Sequence, residues 1–524
     1  MVEQTSLAGL PGYEITAMIA RREVSARDVI DSHIARLEAV QPRLNAVAWP
    51  MYEEARAAAD EADAKQARGE ALGPLHGVPI SIKDQYYVAG TPTTMGLETR
   101  RDHRAKGDAP AVAKLRREGA IVVAKGNVPQ LLMYQECDNS VYGRTNNPWD
   151  LERSPAGGTG GDAAIVAARG AALGLGSEYS GSIRNPAHAC GIFGLKPTFG
   201  RMTMTGAPNI FFPGNSGIPL VPGMLSRNVR DLDLSMRLLS EADAQGGDPT
   251  IPPVPVWGPY ESVKIRGLRV AMYTDDGYFT PSPAIRRAVK EAAAALRARG
   301  AVVEEFRPPS MAEAIDLTFA IMGADNGRWM SRALRGNKAD PRISVFMRTG
   351  MIPTPLRRPA AAAMSLAGQK RLARVLRPLK DCSASEAFAL MLKRDRFQAD
   401  FQQAMDDGKF DAIICPVYPL PAVLHGSMYQ LFISQCYSIV YNMLGMPAGA
   451  VSATKVRLGE ESDRPKNRDM VDRAARKVEE GSAGMPVGVQ VVGRHWREDV
   501  VLAVMAQLEE HFRAQPDFPA RPPI

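Results

Sequence analysis

The sequence predicts an α/β protein with a mixed, mostly parallel β-sheet covered by helices on both faces. Short apolar runs typical of buried strands alternate with longer amphipathic segments typical of helices. The chain has 524 residues, of which 45% are hydrophobic, an ordinary composition for a folded protein. A chain of this length buries enough surface to fold without a disulfide or a structural metal.

The first 69 residues are predicted to form a helical arm. Ser25 is a suitable N-cap for a helix over residues 25–40. Its apolar stripe consists of Val29, Ile30, Ile34 and Leu37. Residues 53–68 are rich in alanine and charged side chains, which favours a second, more exposed helix. We expect this arm to pack on the main domain, and it is a candidate element for joining two copies in a homodimer.

The main domain is predicted to span residues 70–515. Short apolar runs indicate buried strands at 77–82, 120–124, 412–415 and 487–492. Helical patterns are found at 109–118, 163–172 and 498–512. Alternation of the two element types favours a largely parallel sheet.

Three further segments have distinct compositions. Residues 310–410 are helical in tendency and rich in methionine, which indicates an adaptable core and a variable substrate region. Residues 425–454 lack charged side chains, but their glutamines, asparagine and proline favour a buried core segment over a membrane span. Residues 455–483 are highly charged and are predicted to form a solvated surface excursion.

Charge and cysteine content exclude several classes of function. The net charge of +7 is spread along the chain, and no aromatic residues interleave with the basic ones, so no nucleic-acid site is predicted. Residues 1–11 have no basic start or apolar core typical of a secretion signal. The five cysteines are scattered without a CxxC pair, which predicts a reducing, cytoplasmic location and no metal site.

Residues 154–197 are the most informative segment. Glycines cluster at 157–161 and 174–181, although glycine is unfavourable inside helices and strands. One interpretation is a flexible loop. The other, which the low content of Ser, Asn and Pro favours, is a backbone brought close to a ligand, with its N–H groups directed at an oxyanion.

A second informative segment is residues 76–85, in which Lys83 follows an apolar, strand-like run. Lys83 could reach solvent from the end of a strand. Alternatively, burial would lower its pKa and allow it to act as a neutral base. The pattern alone does not separate these two interpretations.

These segments resemble those of the amidase signature family, the Ser–cis-Ser–Lys amidohydrolases. The matching motifs are HGVPISIKD, TNNPWD, RSPAGGTGG, GSEYSGSIRNPAHACGIFGLKPTFGR and GMPVGVQVVG. They occur in the family's order between about residues 70 and 512, and residues 310–410 fall where the family varies.

The resemblance implies the amidase signature fold and an amidohydrolase that cuts a carboxylic amide without a cofactor or metal. Ser182 matches the serine that forms the acyl-enzyme, and Lys83 matches the base. The backbone N–H groups of Tyr179, Ser180, Gly181 and Ser182 match the oxyanion hole.

One position departs from the family's pattern. The family has a bridging serine between nucleophile and lysine, joined to its neighbour by a cis peptide, and here this position is Gly158, followed by Thr159. A water molecule could fill the gap, Thr159 could take over the relay, or the chain could be an activity-weakened variant of an enzyme with serine there. The third explanation agrees best with the otherwise intact motifs.

The expected substrate is a small-molecule amide with an apolar or aryl group. By the resemblance, the pocket is lined by Leu132, Met133 and Gln135 and by part of residues 310–410. Arg184 is expected to hold the glycine loop through a carboxylate.

Four alternatives remain open. A Ser-His-Asp hydrolase would use His188, but the GxSxG pattern is absent around Ser182. A cysteine amidase would use Cys190 or Cys137. A transamidating subunit that supplies ammonia belongs to the same family. From a different class, the chain could be a non-catalytic ligand-binding member of the fold, for which Gly158 is the best argument.

Overall fold

The computed structural model describes residues 7–209, 217–350 and 352–524. Residues 1–6 of the predicted arm and Met351 of the methionine-rich region therefore lie outside the described residues. No helix within these ranges is both long enough and apolar enough to cross a membrane.

Within the described ranges, eleven strands form one sheet and two more form a small hairpin. The strands of the large sheet are β1 (Val47–Pro50), β2 (Pro79–Lys83), β3 (Ile121–Gly126), β6 (Leu173–Glu178), β7 (Phe193–Lys196), β8 (Val221–Ser226), β9 (Arg269–Met272), β10 (Val302–Glu305), β11 (Ala412–Pro416), β12 (Ala448–Lys455) and β13 (Pro486–Gly493). The hairpin consists of β4 (Asp138–Asn139) and β5 (Gly143–Arg144).

The strand order is β1-β3-β2-β6-β8-β7-β12-β13-β11-β9-β10. Parallel pairs join β3, β2 and β6 on one side and β11, β9 and β10 on the other. The other six of the ten neighbouring pairs in the described residues are antiparallel. The sheet is therefore mixed, as predicted, but parallel pairs do not predominate as expected: they make up four of the ten pairs and flank an antiparallel centre.

Helices surround this sheet. In chain order they are α1 (Gly12–Ala20), α2 (Ala26–Leu44), α3 (Tyr52–Ala67), α4 (Pro110–Arg117), α5 (Gly160–Ala167), α6 (Arg184–Cys190), α7 (Val229–Ser240), α8 (Pro283–Ala298), α9 (Met311–Gly323), α10 (Arg328–Ala333), α11 (Pro341–Gly350), α12 (Thr354–Leu366), α13 (Lys370–Leu376), α14 (Ala384–Asp407), α15 (Met428–Leu431), α16 (Cys436–Met443), α17 (Met470–Glu479) and α18 (Glu498–Arg513). All residues of β2, β3, β6, β8, β11 and β13 are buried, so both faces of these strands are covered. The α/β fold class is confirmed.

The predicted N-terminal helices are present as α2 and α3. Ser25 caps α2: its hydroxyl oxygen accepts from the backbone N–H of Asp28, and the Asp28 carboxylate accepts from the backbone N–H of Ser25. Residues 1–69 are not purely helical, however, because β1 lies between α2 and α3 and pairs with β3. The four residues of β1 are all apolar and show no alternation that would indicate a half-buried strand, and pairing with β3 determines their conformation.

The helix predicted at 163–172 begins and ends earlier, as α5. Its first residues are two glycines, which sequence propensity disfavours in a helix. A methyl group on Gly161 would lie 2.2 Å from the backbone nitrogen of Asn127. Close packing against this neighbouring backbone therefore requires glycine inside the helix.

The prediction of a solvated excursion at residues 455–483 was wrong for its second half, which forms α17. Val471, Ala475 and Val478 are fully buried and follow helical spacing. The many charged residues of this segment hid this apolar helical pattern in the sequence. Residues 425–454 form α15, α16 and most of β12, and they are mostly buried, as predicted for a core segment.

Candidate active site

Lys83 ends β2 with its side chain only 1% exposed. Its amine donates hydrogen bonds to the hydroxyl of Ser177, at 2.8 Å, and to the carbonyl of Ser177, at 3.1 Å. Ser177 lies on β6, the neighbouring parallel strand. Burial lowers the pKa of Lys83 to about 7, although the Asp162 and Glu178 carboxylates oppose this shift. The structure therefore agrees with a buried lysine whose neutral form is well populated near pH 7, and not with one that reaches solvent.

Ser177 and Gln85 are two site residues that the sequence did not identify. The Ser177 hydroxyl accepts from Lys83 and donates to the side-chain carbonyl of Gln85 at 2.5 Å. The Gln85 amide nitrogen donates to the Pro208 carbonyl at 3.1 Å, which fixes the orientation of this side chain. Gln85 adjoins the lysine motif, but no pattern indicates that it meets Ser177.

Ser182 lies in the loop between β6 and α6 and is 7% exposed. Its hydroxyl oxygen accepts from the backbone N–H of Gly158 at 3.1 Å. In the described part of the chain, no hydrogen bond joins Ser182 directly to Lys83.

The loop that carries Ser182 is held by a buried ion pair. Arg184 pairs with the Glu178 carboxylate, which also accepts from the backbone N–H groups of Ile183 (2.9 Å) and Arg184 (3.0 Å). Both charged side chains are fully buried. Glu178 is the carboxylate partner expected for Arg184.

The loop conformation requires glycine at position 181. Gly181 has a φ of +105°, and a methyl group there would lie 2.3 Å from the Asn185 side chain. Within the described ranges, the backbone N–H groups of Ser180, Gly181 and Ser182 donate to no protein acceptor. Such unused donors beside the nucleophile are able to stabilise an oxyanion.

Gly158 lies between Ser182 and Lys83. A methyl group at this position would be 3.0 Å from the Ser182 hydroxyl oxygen, 3.1 Å from the Lys83 amine nitrogen and 3.4 Å from the Leu132 carbonyl oxygen. The cis linkage implied by the family resemblance is not seen, since all peptide bonds of the described residues are trans.

The hydroxyl of Thr159 is directed away from the nucleophile. It donates to the Ser177 carbonyl at 3.3 Å, and no bond from it to Ser182 or Lys83 is present in the described residues.

A cavity opens at Ser182. Its wall includes Leu132, Met133 and Gln135, the predicted pocket residues, together with Tyr179 and Ser180. Helix α9 and the segment 432–439 supply further apolar side chains: Ile315, Phe319, Met322, Phe432, Ile433 and Ile439. Among the described residues that line the cavity, none carries a charged side chain.

The residues required by the alternative mechanisms are poorly suited to those roles. His188 bonds to the Leu420 carbonyl at 3.0 Å and accepts from the Gly488 backbone at 3.0 Å, and burial lowers its pKa to about 4. Burial raises the pKa of the Cys137 thiol to about 12 and that of Cys190 well above its ordinary value. Neither thiol is suited to act as a nucleophile.

No cluster of His, Cys, Asp and Glu in the described ranges is arranged to hold a metal.

Known proteins are similar to this chain in sequence and in fold. The family model described as Amidase matches residues 28–502. The chain is 30% identical over 513 residues to fatty-acid amide hydrolase 1 of Sus scrofa, covering 97% of this chain and 86% of that protein. It is also 30% identical over 516 residues to a subunit of glutamyl-tRNA(Gln) amidotransferase from Heliobacterium modesticaldum, covering 95% of this chain and 96% of that protein.

Among solved structures, a fatty acid amide hydrolase superposes with a TM-score of 0.85 at 25% identity. The match covers 97% of this chain and 86% of that one.

Proposed function

The chain belongs to the amidase family and is a hydrolase that acts on amide bonds, and we propose that it cleaves uncharged, apolar or aryl amides through an acyl-enzyme on Ser182. The observation that carries this proposal is the position of Gly158, which faces both the Ser182 hydroxyl and the buried Lys83 amine. A nucleophile and a base on either side of one small space are what acyl transfer requires.

In the proposed first step, neutral Lys83 receives the proton of Ser182 and the serine oxygen adds to the amide carbonyl. The negative charge that develops on the carbonyl oxygen is stabilised by the backbone N–H groups of residues 179–182. Support for this assignment comes from the backbone N–H groups of Ser180, Gly181 and Ser182, which donate to no acceptor within the described ranges, and from the Glu178–Arg184 pair that holds the loop.

In the second step, the protonated Lys83 returns its proton to the amide nitrogen, and the amine leaves. Proton donation is necessary because an amine anion is too basic to depart. Water then attacks the acyl-enzyme, Lys83 removes its proton, and the acid and free Ser182 are released.

The apolar wall of the cavity supports the proposed substrate class. A glutamine substrate, as in a transamidating subunit, would bring charged α-amino and α-carboxyl groups into this cavity. An unpaired charge in an apolar site costs several kcal/mol, and the described lining supplies no ionic partner. An apolar acyl or aryl group meets no such penalty.

Replacing Ser182 or Lys83 tests the mechanism. Ser182→Ala and Lys83→Ala should each abolish release of the amine from an aryl amide, since one removes the nucleophile and the other the base. Intact mass should detect an acyl adduct on the starting chain and none on Ser182→Ala. The matched control is Cys190→Ala, which removes a buried thiol near the loop and should keep the adduct.

Two outcomes would contradict the proposal. Full turnover by Lys83→Ala would exclude Lys83 as the base. Binding of the amides by the starting chain without any acylation, even by a reactive aryl ester, would instead identify a non-catalytic ligand-binding protein.

A further inference from the structure

We infer that one water molecule bound beside Gly158 carries the proton between Ser182 and Lys83. This inference rests on the proposed function and assigns to solvent the role that a side-chain hydroxyl has in the family. It makes Gly158 part of a water-binding site within the active centre.

The distances around Gly158 define this site. The methyl position of residue 158 lies 3.0 Å from the Ser182 oxygen, 3.1 Å from the Lys83 nitrogen and 3.4 Å from the Leu132 carbonyl oxygen. Glycine leaves this space open, and we place the water oxygen beyond the methyl position, where the Ser182 oxygen, the Lys83 nitrogen and the Leu132 carbonyl oxygen face a common point. Buried water typically makes about three hydrogen bonds to polar groups.

The directions of the surrounding hydrogen bonds match one water molecule. Neutral Lys83 has two amine hydrogens, both of which Ser177 accepts, and its lone pair is left to accept a third bond. The Ser182 oxygen already accepts from the Gly158 backbone, so its hydroxyl proton is available to the water. The water would therefore accept from Ser182 and donate to Lys83 and to the Leu132 carbonyl.

Neighbouring hydroxyl groups are already committed to other partners. Thr159 donates to the Ser177 carbonyl at 3.3 Å. Ser177 donates to Gln85 at 2.5 Å. Neither has a proton to pass on without breaking a buried bond, which costs about 1–3 kcal/mol.

The proton transfer balances as follows. As the serine oxygen forms its bond to the carbonyl carbon, the Ser182 proton moves to the water. The water passes one of its own hydrogens to the Lys83 lone pair and remains water. The reverse transfer delivers the proton from Lys83 towards the departing nitrogen.

Two substitutions at the same position test this site. Gly158→Ala places a methyl group 3.0 Å from the Ser182 oxygen and 3.1 Å from the Lys83 nitrogen, which excludes the water. Its single-turnover acylation by an aryl amide should slow by about 100-fold or more, the usual contribution of general base catalysis. Gly158→Ser restores a bridging hydroxyl and should acylate at least as fast as the starting chain.

Gly160→Ala is the matched control. It adds the same methyl group two residues away, where the nearest atoms belong to Cys137, at 3.0 Å, and Pro155, at 3.2 Å. Its acylation rate should stay within about threefold of the starting chain, because its methyl group does not face Ser182 or Lys83. Thermal unfolding of all four proteins identifies any variant that fails to fold.

A proton inventory separates a relay from a steric effect. Acylation rates in mixtures of H2O and D2O should give a curved plot for the starting chain and for Gly158→Ser, because two protons move together. The slow acylation of Gly158→Ala should lose this curvature.

The inference is overturned if Gly158→Ala acylates as fast as Gly160→Ala, or if the starting chain gives a straight proton inventory. The inference is also overturned if Gly158→Ser is acylated and the starting chain is not. That outcome would leave the proposed function intact and show that the starting chain is a weakened enzyme. If none of the four proteins acylates with amides or reactive esters, the proposed function itself fails.

Discussion

At the scale of single residues, the hydroxyl of Ser177 controls the orientation of the Lys83 amine. It accepts from Lys83 at 2.8 Å and donates to Gln85 at 2.5 Å. Because its proton is engaged by Gln85, Ser177 acts towards Lys83 only as an acceptor. The lone pair of neutral Lys83 is therefore not engaged by Ser177 and stays available to accept a proton, as a base requires.

Removal of this hydroxyl should alter the pH dependence of the reaction. Activity of the starting chain should fall as the pH drops through about 7, since burial sets the pKa of Lys83 near this value and only the neutral amine is a base. An acceptor stabilises the charged ammonium more than the neutral amine. Ser177→Ala should therefore lower the Lys83 pKa further and move the acid limb of kcat/KM to lower pH.

The same variant should also reduce kcat at the plateau by about tenfold, the equivalent of one lost hydrogen bond of about 1.4 kcal/mol. KM should change little, because Ser177 is fully buried and is not among the described residues that line the cavity. An acid limb that stays in place would mean that Ser177 has only a structural role.

At the scale of elements, a buried ion pair joins three segments around the cavity. Arg342, in α11, bonds to the Glu136 carboxylate at 2.7 Å, directly after the cavity-lining residues 131–135. The Tyr134 hydroxyl donates to the Arg342 carbonyl at 2.7 Å. Glu136 also accepts from the backbone of Met428, the first residue of α15, at 2.7 Å. This pair fixes one wall of the cavity against α11 and α15.

Arg342→Met should destabilise this region and weaken substrate binding. Removing one partner leaves Glu136 buried without its counter-charge, at a cost of about 3–5 kcal/mol. We expect a lower urea midpoint of unfolding and a KM that rises more than kcat falls, since the reacting groups lie on other elements.

The control is Arg328→Met, which breaks the Arg328–Asp381 pair, whose side chains are 67% and 39% exposed. Solvent screens such pairs, so its effect on unfolding and on KM should be much smaller. Equal effects of the two variants would refute a special role for the buried pair.

At the scale of the whole molecule, the cavity is assembled from parts of the chain that are far apart in sequence. Residues 131–135, the loop 179–182, α9 and residues 432–439 all contribute to it. Their shared property is the lack of charged side chains among the described lining residues, so we expect the assembled cavity to select against charged acyl groups.

A matched series of anilides tests this selection. Adding a terminal carboxylate or ammonium to an alkyl acyl group should lower kcat/KM by at least about 100-fold, the equivalent of about 3 kcal/mol for an unpaired charge. The parent alkyl anilide is the reference, and its neutral hydroxyl-bearing analogue is the control for size. Hydrolysis of glutamine as fast as the parent anilide would contradict the proposed substrate class.

The sequence by itself determined the α/β class and several helices and strands near the two ends of the domain, while its resemblance to a known family supplied Ser182 and Lys83 as the candidate nucleophile and base. These properties are local. Periodic apolar residues, the Ser25 cap and the glycine clusters each lie within one short segment, where spacing alone constrains conformation. The departure at Gly158 is likewise visible in one short motif, without knowledge of its neighbours in space.

Only the tertiary structure decided the central antiparallel strand order, the strand β1, the helix α17 and the partners within the site. Ser177 is 94 residues from Lys83, and Arg342 is 206 residues from Glu136. Which polar groups meet depends on how strands of distant segments are ordered in the sheet. No local pattern contains this information, because a buried donor is satisfied by whichever acceptor the topology places beside it.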